Sequence, residues 1–224
     1  MAPGAALSYN TLLLGIQGSG KGTQAKRIAA EYGIPHVATG DILRAAIAEG
    51  TPLGRQVEGI LARGDLVPDE TRVELIRKQL AGVNDGFVLD GFPRTLWQAQ
   101  ELDRVLDGRP LNLAINLDVP REIVLDRLAG RRVCENCQTV YHVNMPPTSN
   151  WICDTCGGTV VQRDDDTEEA IDRRLELYEQ ETVPIIEHYR AQGMLAEVDG
   201  VGDGDDVFDR LVKAVNERFP NDTA

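Results

Sequence analysis

Gly15, Gly18, Gly20 and Gly22 surround Ser19, Lys21 and Thr23 in the run G-I-Q-G-S-G-K-G-T over 15–23, directly after apolar residues 11–14 and before the helix-compatible residues 24–32. A strand feeding a glycine-rich turn that opens a helix lets successive backbone N–H groups wrap an anionic chain, and adds the positive end of the helix dipole. Lys21 then stands against the β- and γ-phosphates of a nucleoside triphosphate. One position departs from the common pattern: Gly22 stands where most such loops carry the Ser or Thr that ligates Mg²⁺. Either Thr23 takes that role, or phosphates and water hold the metal with little direct help from the loop.

A second segment, G-F-V-L-D-G-F-P-R-T-L-W-Q over 86–98, ends an apolar strand on Asp90 and brings Arg94 one turn later. Asp90 is placed like the acid that organises Mg²⁺ and its waters in phosphate-loop enzymes. An acid and a guanidinium beyond one strand suit phosphoryl transfer, where metal and arginine share the charge on the moving group. Taken singly, Asp90 also reads as a helix cap and Arg94 as a surface ion-pair partner. Arg127, Arg131, Arg132 and Arg163 form a further local cluster of positive charge, which points to a focused anion site, although any one of them also fits a solvated helix face.

The four cysteines fall together as Cys134-x2-Cys137, fifteen intervening residues, and Cys153-x2-Cys156. Two such knuckles can bring four thiolates into a tetrahedron around Zn²⁺, and four thiolates close the coordination sphere, so the metal would be structural. Two disulfides or redox-active pairs are the competing readings; a reducing cytosol and the lack of a thioredoxin-like helix start favour zinc. A zinc ribbon often reads nucleic acid. Between Cys134 and Cys156, however, lysine and arginine are absent while Glu135 and Asp154 are acidic, which leaves no patch to neutralise phosphates. The zinc would replace a core that a module of about 35 residues cannot build.

These groups need a frame to hold them. At 224 residues, with 42% hydrophobic and 26% charged content, the chain can bury one main core with appended modules. Apolar runs at 11–16, 87–90, 113–119 and 194–198, with a weaker one at 36–38, alternate with helical patterns at about 21–32, 41–49, 53–63, 69–80, 95–106, 120–129, 167–190 and 205–218. Short buried strands between amphipathic helices predict an α/β protein, a parallel sheet covered on both faces. Pro52, Pro68 and Pro120 sit at helix starts, and Pro184 should kink or break the long pattern near Thr182. Residues 39–67 lack a clear strand and about 130–166 lack periodicity; both read as modules inserted into the core. The start of the chain reads as frayed, and 200–206 as an acidic Gly/Asp turn. A formal net charge of −13 argues against a general nucleic-acid or anionic-membrane binder. Without a signal-like start or a run near the roughly 20 apolar residues of a membrane span, a cytoplasmic protein is expected.

Together the segments closely resemble the adenylate kinase family, nearly end to end. The resemblance covers G-S-G-K-G-T-Q-A (18–25), T-G-D-I-L-R (39–44), G-D-L-V-P-D-E (64–70), L-D-G-F-P-R-T (89–95), D-R-L-A-G-R-R (126–132), V-Y-H-V (140–143), R-D-D (163–165) and R-R-L (173–175). It implies a P-loop nucleoside-monophosphate kinase fold with a five-stranded parallel sheet and two inserted mobile modules. The core would span 1–37, 68–129 and 167–224, with an AMP-binding insertion at 38–67 and a zinc-bearing lid at 130–166. The implied reaction is Mg²⁺-dependent transfer from ATP to AMP, giving two ADP, by a monomer. By resemblance, Gly18, Ser19, Gly20, Lys21, Gly22 and Thr23 hold the donor phosphates, and Arg127, Arg131, Val140, Tyr141 and Gly202 complete the ATP site. Thr39, Arg44, Asp65, Leu66, Val67, Gly91, Phe92, Pro93, Arg94 and Gln98 would bind AMP, with Arg44 and Arg94 on its phosphate. Arg127, Arg163 and Arg174 would converge on the moving phosphoryl group, Asp90 would serve the metal, and Cys134, Cys137, Cys153 and Cys156 would hold the zinc.

The same resemblance makes His142 a lid packing or hydrogen-bonding residue. Gln17 replaces a Pro common in the family loop, and Gly202 a Lys or Gln near the adenine; backbone groups can serve at both places. Gln98 suits an adenine edge, where pyrimidine-directed relatives tend to carry Asn, so a preference for AMP over CMP, UMP and GMP is expected. A GTP donor, a pyrimidine acceptor and, in another class, a nucleotide-dependent zinc-ribbon binding module stay as alternatives.

Overall fold

The computed structural model describes residues 9–220, so the expected frayed start at 1–8 lies outside the described residues. Five parallel strands form one sheet in the order β2-β3-β1-β4-β8: β1 (Asn10–Leu14), β2 (His36–Ala38), β3 (Phe87–Asp90), β4 (Leu113–Asp118) and β8 (Leu195–Asp199). β1 lies between β3 and β4, pairing Leu13 with both Asp90 and Ile115. The strand order reverses here, which opens a crevice beyond the carboxyl ends of the strands. The glycine-rich loop and Asp90 both leave the sheet at that crevice.

Burial of both strand faces explains the continuous apolar runs. Leu12 and Leu14 face a cluster with Phe87, Leu89, Phe92, Ile185 and Tyr189, under α4 (Asp69–Leu80), α5 (Leu96–Leu106) and α8 (Val183–Ala191). Leu13 faces the other way, onto Ile28, Val88, Ile115 and Leu211, under α1 (Lys21–Tyr32) and α9 (Gly204–Arg218). Each such leucine contributes roughly 1.5–3 kcal/mol by leaving water, and the loop springs from a strand buried on both faces and paired along both edges.

Three boundaries differ from the sequence expectation for local reasons. β1 stops at Leu14, because Gly15 turns the chain and Ile16 joins a separate cluster with Val124 and Leu128. α2 (Thr39–Ala48) starts two residues early and continues straight from β2. The pattern 167–190 divides into α7 (Glu168–Leu177), a π-helical turn (Tyr178–Thr182) and α8, with Pro184 in the first turn of α8. Proline cannot bond the carbonyl four residues back, and the backbone widens: Val183 N–H reaches Tyr178 O instead.

Two smaller units stand beside the sheet. α2 and α3 (Pro52–Ala62) pack around Leu43, Val57, Val67 and Leu75, with Thr51 capping α3 through Gly54 N–H at 3.0 Å. After α6 (Arg121–Ala129), a three-stranded antiparallel sheet in the order β6-β5-β7 comprises β5 (Arg131–Cys134), β6 (Val140–His142) and β7 (Val160–Val161). Among the described residues, no helix is long and apolar enough to cross a membrane.

Candidate active site

One cavity of about 1170 Å³ opens at the crevice, lined from the glycine-rich loop to the small antiparallel sheet. Gly18 has a left-handed φ of 85°, and a β-carbon there would come within 2.8 Å of Leu128 Cγ, so only glycine lets the loop settle against α6. The amine of Lys21 curls back and donates to Gly15 O at 2.6 Å and Ile16 O at 2.7 Å. Burial lowers its pKa to about 8; Asp90 opposes that shift, while Arg94 and Arg131 reinforce it.

Asp90 lies at the end of β3 with His36 Nε2 3.7 Å from its Oδ2, too long for a hydrogen bond but close enough for attraction. Burial alone would raise the Asp90 pKa; His36, Lys21 and Arg94 outweigh it and hold the carboxyl below its ordinary value. An ionised acid thus faces the lysine of the loop. A β-carbon on Gly22 would sit 3.2 Å from Asp90 Oδ2, so a hydroxyl side chain at 22 would crowd that carboxylate. Ser19 and Thr23 are the loop residues with hydroxyls that line the cavity.

Arg44, Arg94, Arg127, Arg131, Arg163 and Arg174 all line this same cavity. Arg127 bridges Ser19 O at 3.3 Å and Gly200 O at 3.2 Å. Carboxylates hold three others: Asp41 pairs with Arg44, Asp166 with Arg131, and Asp165 with Arg174. Among the described residues Arg94 and Arg163 have no carboxylate within ion-pair distance. Burial first, then Arg174 and Arg44 as neighbouring cations, lower Arg94 to about 10; burial, then Arg44 and Arg131, bring Arg163 to about 10. A low-dielectric cavity with this excess of fixed cations is suited to a polyphosphate.

The amino-acid sequence over residues 13–194 matches the adenylate kinase family model. The chain is 46% identical to the adenylate kinase of Thermodesulfovibrio yellowstonii over 92% of this chain and 99% of that one. Against the adenylate kinase of Lachnospira eligens it is 48% identical, over 90% and 97% of the two chains, and against that of Bacillus subtilis 45%, over 89% and 94%. The chain belongs to the adenylate kinase family. Enzymes of this family are ATP:AMP phosphotransferases, and the parallel sheet with its loop is the family's P-loop fold.

Within this adenylate kinase framework, Gly18 to Thr23, Val140, Tyr141 and Gly202 line the cavity, as do Asp65, Leu66, Gly91 and Pro93. Thr39, Val67, Phe92 and Gln98 do not reach it; they are fully buried behind its wall. The amide of Gln98 is spent inside the protein, accepting from Arg94 N–H at 2.8 Å and donating to Asp69 Oδ1 at 2.7 Å. The Asp65 carboxylate accepts from Arg173 Nε at 3.0 Å and Arg63 Nε at 3.1 Å, and these bonds, Arg173 first, hold its pKa down. His142 takes a supporting role, with Nδ1 accepting from Asn144 N–H at 3.2 Å and Nε2 3.3 Å from Asp126 O.

Sequence reasoning placed Asp166 only in a run where the 130–166 segment hinges on the core, and it assigned no role to Asp41 or Arg72; Asp41 and Asp166 orient cavity arginines. The i, i+3 spacing of Asp41 and Arg44 on α2 was a usable signal. Arg72 left none, since its neighbours look like any helix exterior.

All four cysteines are free thiols, and their sulfurs lie within 4.8 Å of one another. Cys134 and Cys156 sulfurs are 3.4 Å apart, and those of Cys137 and Cys153 3.5 Å. Zinc–sulfur bonds of about 2.3 Å in a tetrahedron put sulfurs roughly 3.8 Å apart, so the cluster could bind zinc with little adjustment. The Tyr141 hydroxyl, 3.4 Å from Cys153 Sγ, draws that thiol down to about 5, whereas Cys156 goes up to about 12, because the Gly158 N–H that lowers it is outweighed by the neighbouring thiols.

Proposed function

We propose that the protein transfers the γ-phosphoryl group of Mg²⁺-bound ATP to AMP, with a structural Zn²⁺ in the lid. The observation that carries this reading is the convergence of Lys21 with Arg44, Arg94, Arg127, Arg131, Arg163 and Arg174 on one cavity large enough for two nucleotides. An AMP phosphate oxygen attacks the γ-phosphorus as the bond to the β-phosphate oxygen breaks, and ADP leaves on both sides. Charge spread over the equatorial oxygens needs fixed cations more than a general base. Lys21 and the loop N–H groups hold the donor phosphates, Arg44 and Arg94 the acceptor phosphate, and Arg127, Arg131, Arg163 and Arg174 the group in flight.

Asp90 and Thr23 would hold Mg²⁺ directly or through water, and the metal would neutralise the donor phosphates. Zinc on Cys134, Cys137, Cys153 and Cys156 would tie β5 to the loop before β7 and give the lid a shape its small core cannot. Closure of 38–67 over AMP and 130–166 over ATP would exclude water, which otherwise competes for the phosphoryl group.

Initial rates over a grid of ATP and GTP donors with AMP, CMP and UMP acceptors, with and without Mg²⁺, test this reading. ATP with AMP should be fastest and should need the metal. Faster turnover of CMP or UMP than of AMP would move the protein to a pyrimidine-directed kinase, and no transfer with any pair would refute it.

A further inference from the structure

Residues 200–204 read G-V-G-D-G and carry the chain from β8 into α9, and Gly200, Gly202 and Gly204 all line the cavity. Three glycines in five residues leave a backbone with little conformational preference of its own, so neighbouring side chains must impose its shape. Arg210, on the second turn of α9 and outside the cavity lining, imposes much of it. Its Nη1 donates to Asp199 O at 2.7 Å and to Val201 O at 2.8 Å, with Asp199 Oδ2 3.6 Å away. The Val201 N–H donates back to Asp199 Oδ1 at 2.9 Å.

The other carbonyls of the loop are taken as well. Arg127 Nη2 donates to Gly200 O at 3.2 Å, Gln24 Nε2 and Arg27 Nη1 donate to Gly204 O at 2.9 and 2.7 Å, and Val207 N–H donates to Asp203 O at 3.1 Å. Among the described residues, nothing donates to the carbonyl of Gly202. That residue has a φ of 115°, and a β-carbon on it would stand 3.4 Å from Arg210 Nη2, so the guanidinium flanks the one residue whose acceptor is left for a ligand. A single carbonyl on a cavity wall can tell purines apart at one position: adenine carries an amino donor at C6, where guanine carries a keto acceptor that the carbonyl repels. It does so only while held still, since a glycine loop free to turn could offer an N–H in its place.

We propose that Arg210 is a positioning residue for the donor base: by holding the carbonyls of Asp199 and Val201 against α9 it fixes Gly202 O as the acceptor for the 6-amino group, and so sets the preference for ATP over GTP. This rests on the kinase reading above and concerns its donor site alone.

The test measures kcat and KM for ATP, GTP and purine riboside triphosphate, which lacks the 6-amino group, at saturating AMP, and for AMP at saturating ATP. The proteins are the unaltered chain, Arg210→Ala, Arg210→Gln and Arg210→Lys. In the unaltered protein ATP should exceed the amine-free analogue about tenfold in kcat/KM, the scale of one hydrogen bond to a group left unpaired without it. In Arg210→Ala the KM for ATP should rise about tenfold, with kcat and the KM for AMP within about twofold, and the advantage of ATP over GTP and over the analogue should shrink about fivefold or more. Gln and Lys, each able to reach one carbonyl, should fall between. The shrinking advantage is the deciding readout, because a loosened fold would lower Tm and weaken all three donors alike. The Arg210 side chain is 39% exposed, so its replacements are expected to fold. An ATP advantage over the analogue below about twofold in the unaltered protein would overturn the proposal without any variant. A ratio unchanged within about twofold in Ala and Gln, or a KM for AMP that rises as much as that for ATP, would overturn it too. Absence of turnover with ATP and AMP in the unaltered protein would instead refute the kinase reading.

Discussion

Arg131 and Asp166 meet side-on, with Nε donating to Oδ2 at 2.8 Å and Nη2 to Oδ1, and the carboxylate is fully buried. Arg131 opens β5 just after α6, while Asp166 lies just before α7, so this pair ties together the two points where the small antiparallel sheet leaves and rejoins the core. Arg174 stands beside it, with Nη1 3.8 Å from Asp166 Oδ1. One acid therefore orients an arginine at the foot of the small antiparallel sheet and stands next to another.

Asp166→Ala should leave a buried guanidinium without its partner and destabilise the fold by about 3 kcal/mol. Chemical denaturation measures this directly, and turnover should fall as well, because Arg131 loses its fixed direction. A change below about 1 kcal/mol would mean that the pair is dispensable to the fold.

Lys21→Met and Arg94→Ala remove cations that the cavity holds fixed against its own burial. Each should cut turnover by roughly 10³-fold or more in a protein with native circular dichroism, the range seen for arginines that stabilise a moving phosphoryl group. A loss below tenfold in either would remove that residue from the chemistry.

The lowered pKa of Lys21, about 8, sets a pH limit on donor binding. Below that value the amine carries its charge; as pH rises through it, kcat/KM for ATP should decline, while Arg94 and Arg163 stay charged to about 10. The linkage for folding has the opposite sign. Between about 8 and the ordinary 10.5 the unfolded chain binds the extra proton, so this group makes stability rise with pH across that window. A kcat/KM profile that stays flat to pH 9.5 would contradict the buried environment of Lys21.

Zinc removal should loosen the lid before it affects the sheet. Elemental analysis of protein purified under reducing conditions should find about one zinc per chain, and a verified strong chelator should lower Tm first and activity second. Serine at Cys153 should act in the same direction more mildly. No bound metal, or an unchanged melting curve after its removal, would overturn the structural zinc and leave the kinase reading intact.

Local chemistry made much of this protein legible from its residues alone. Glycine spacing around Lys21, paired C-x-x-C knuckles, proline at helix starts and the break before Pro184 each act within a few residues, so the backbone responds to them wherever they occur. The apolar runs likewise required a sheet buried on both faces. Only the tertiary structure decided which side chains face the cavity. Gln98, suited by type to an adenine edge, is turned inward by Asp69 and the Arg94 N–H, and Arg72, ordinary in its helix, is sealed beside Thr39 and Gly91 where α4 meets β3. Arg94, Arg131 and Arg174 come from three separate segments, and their aim depends on Gly91 O and on the carboxylates of Asp165 and Asp166. A buried charge takes the partner that long-range packing brings to it, and sequence spacing carries no record of that distance.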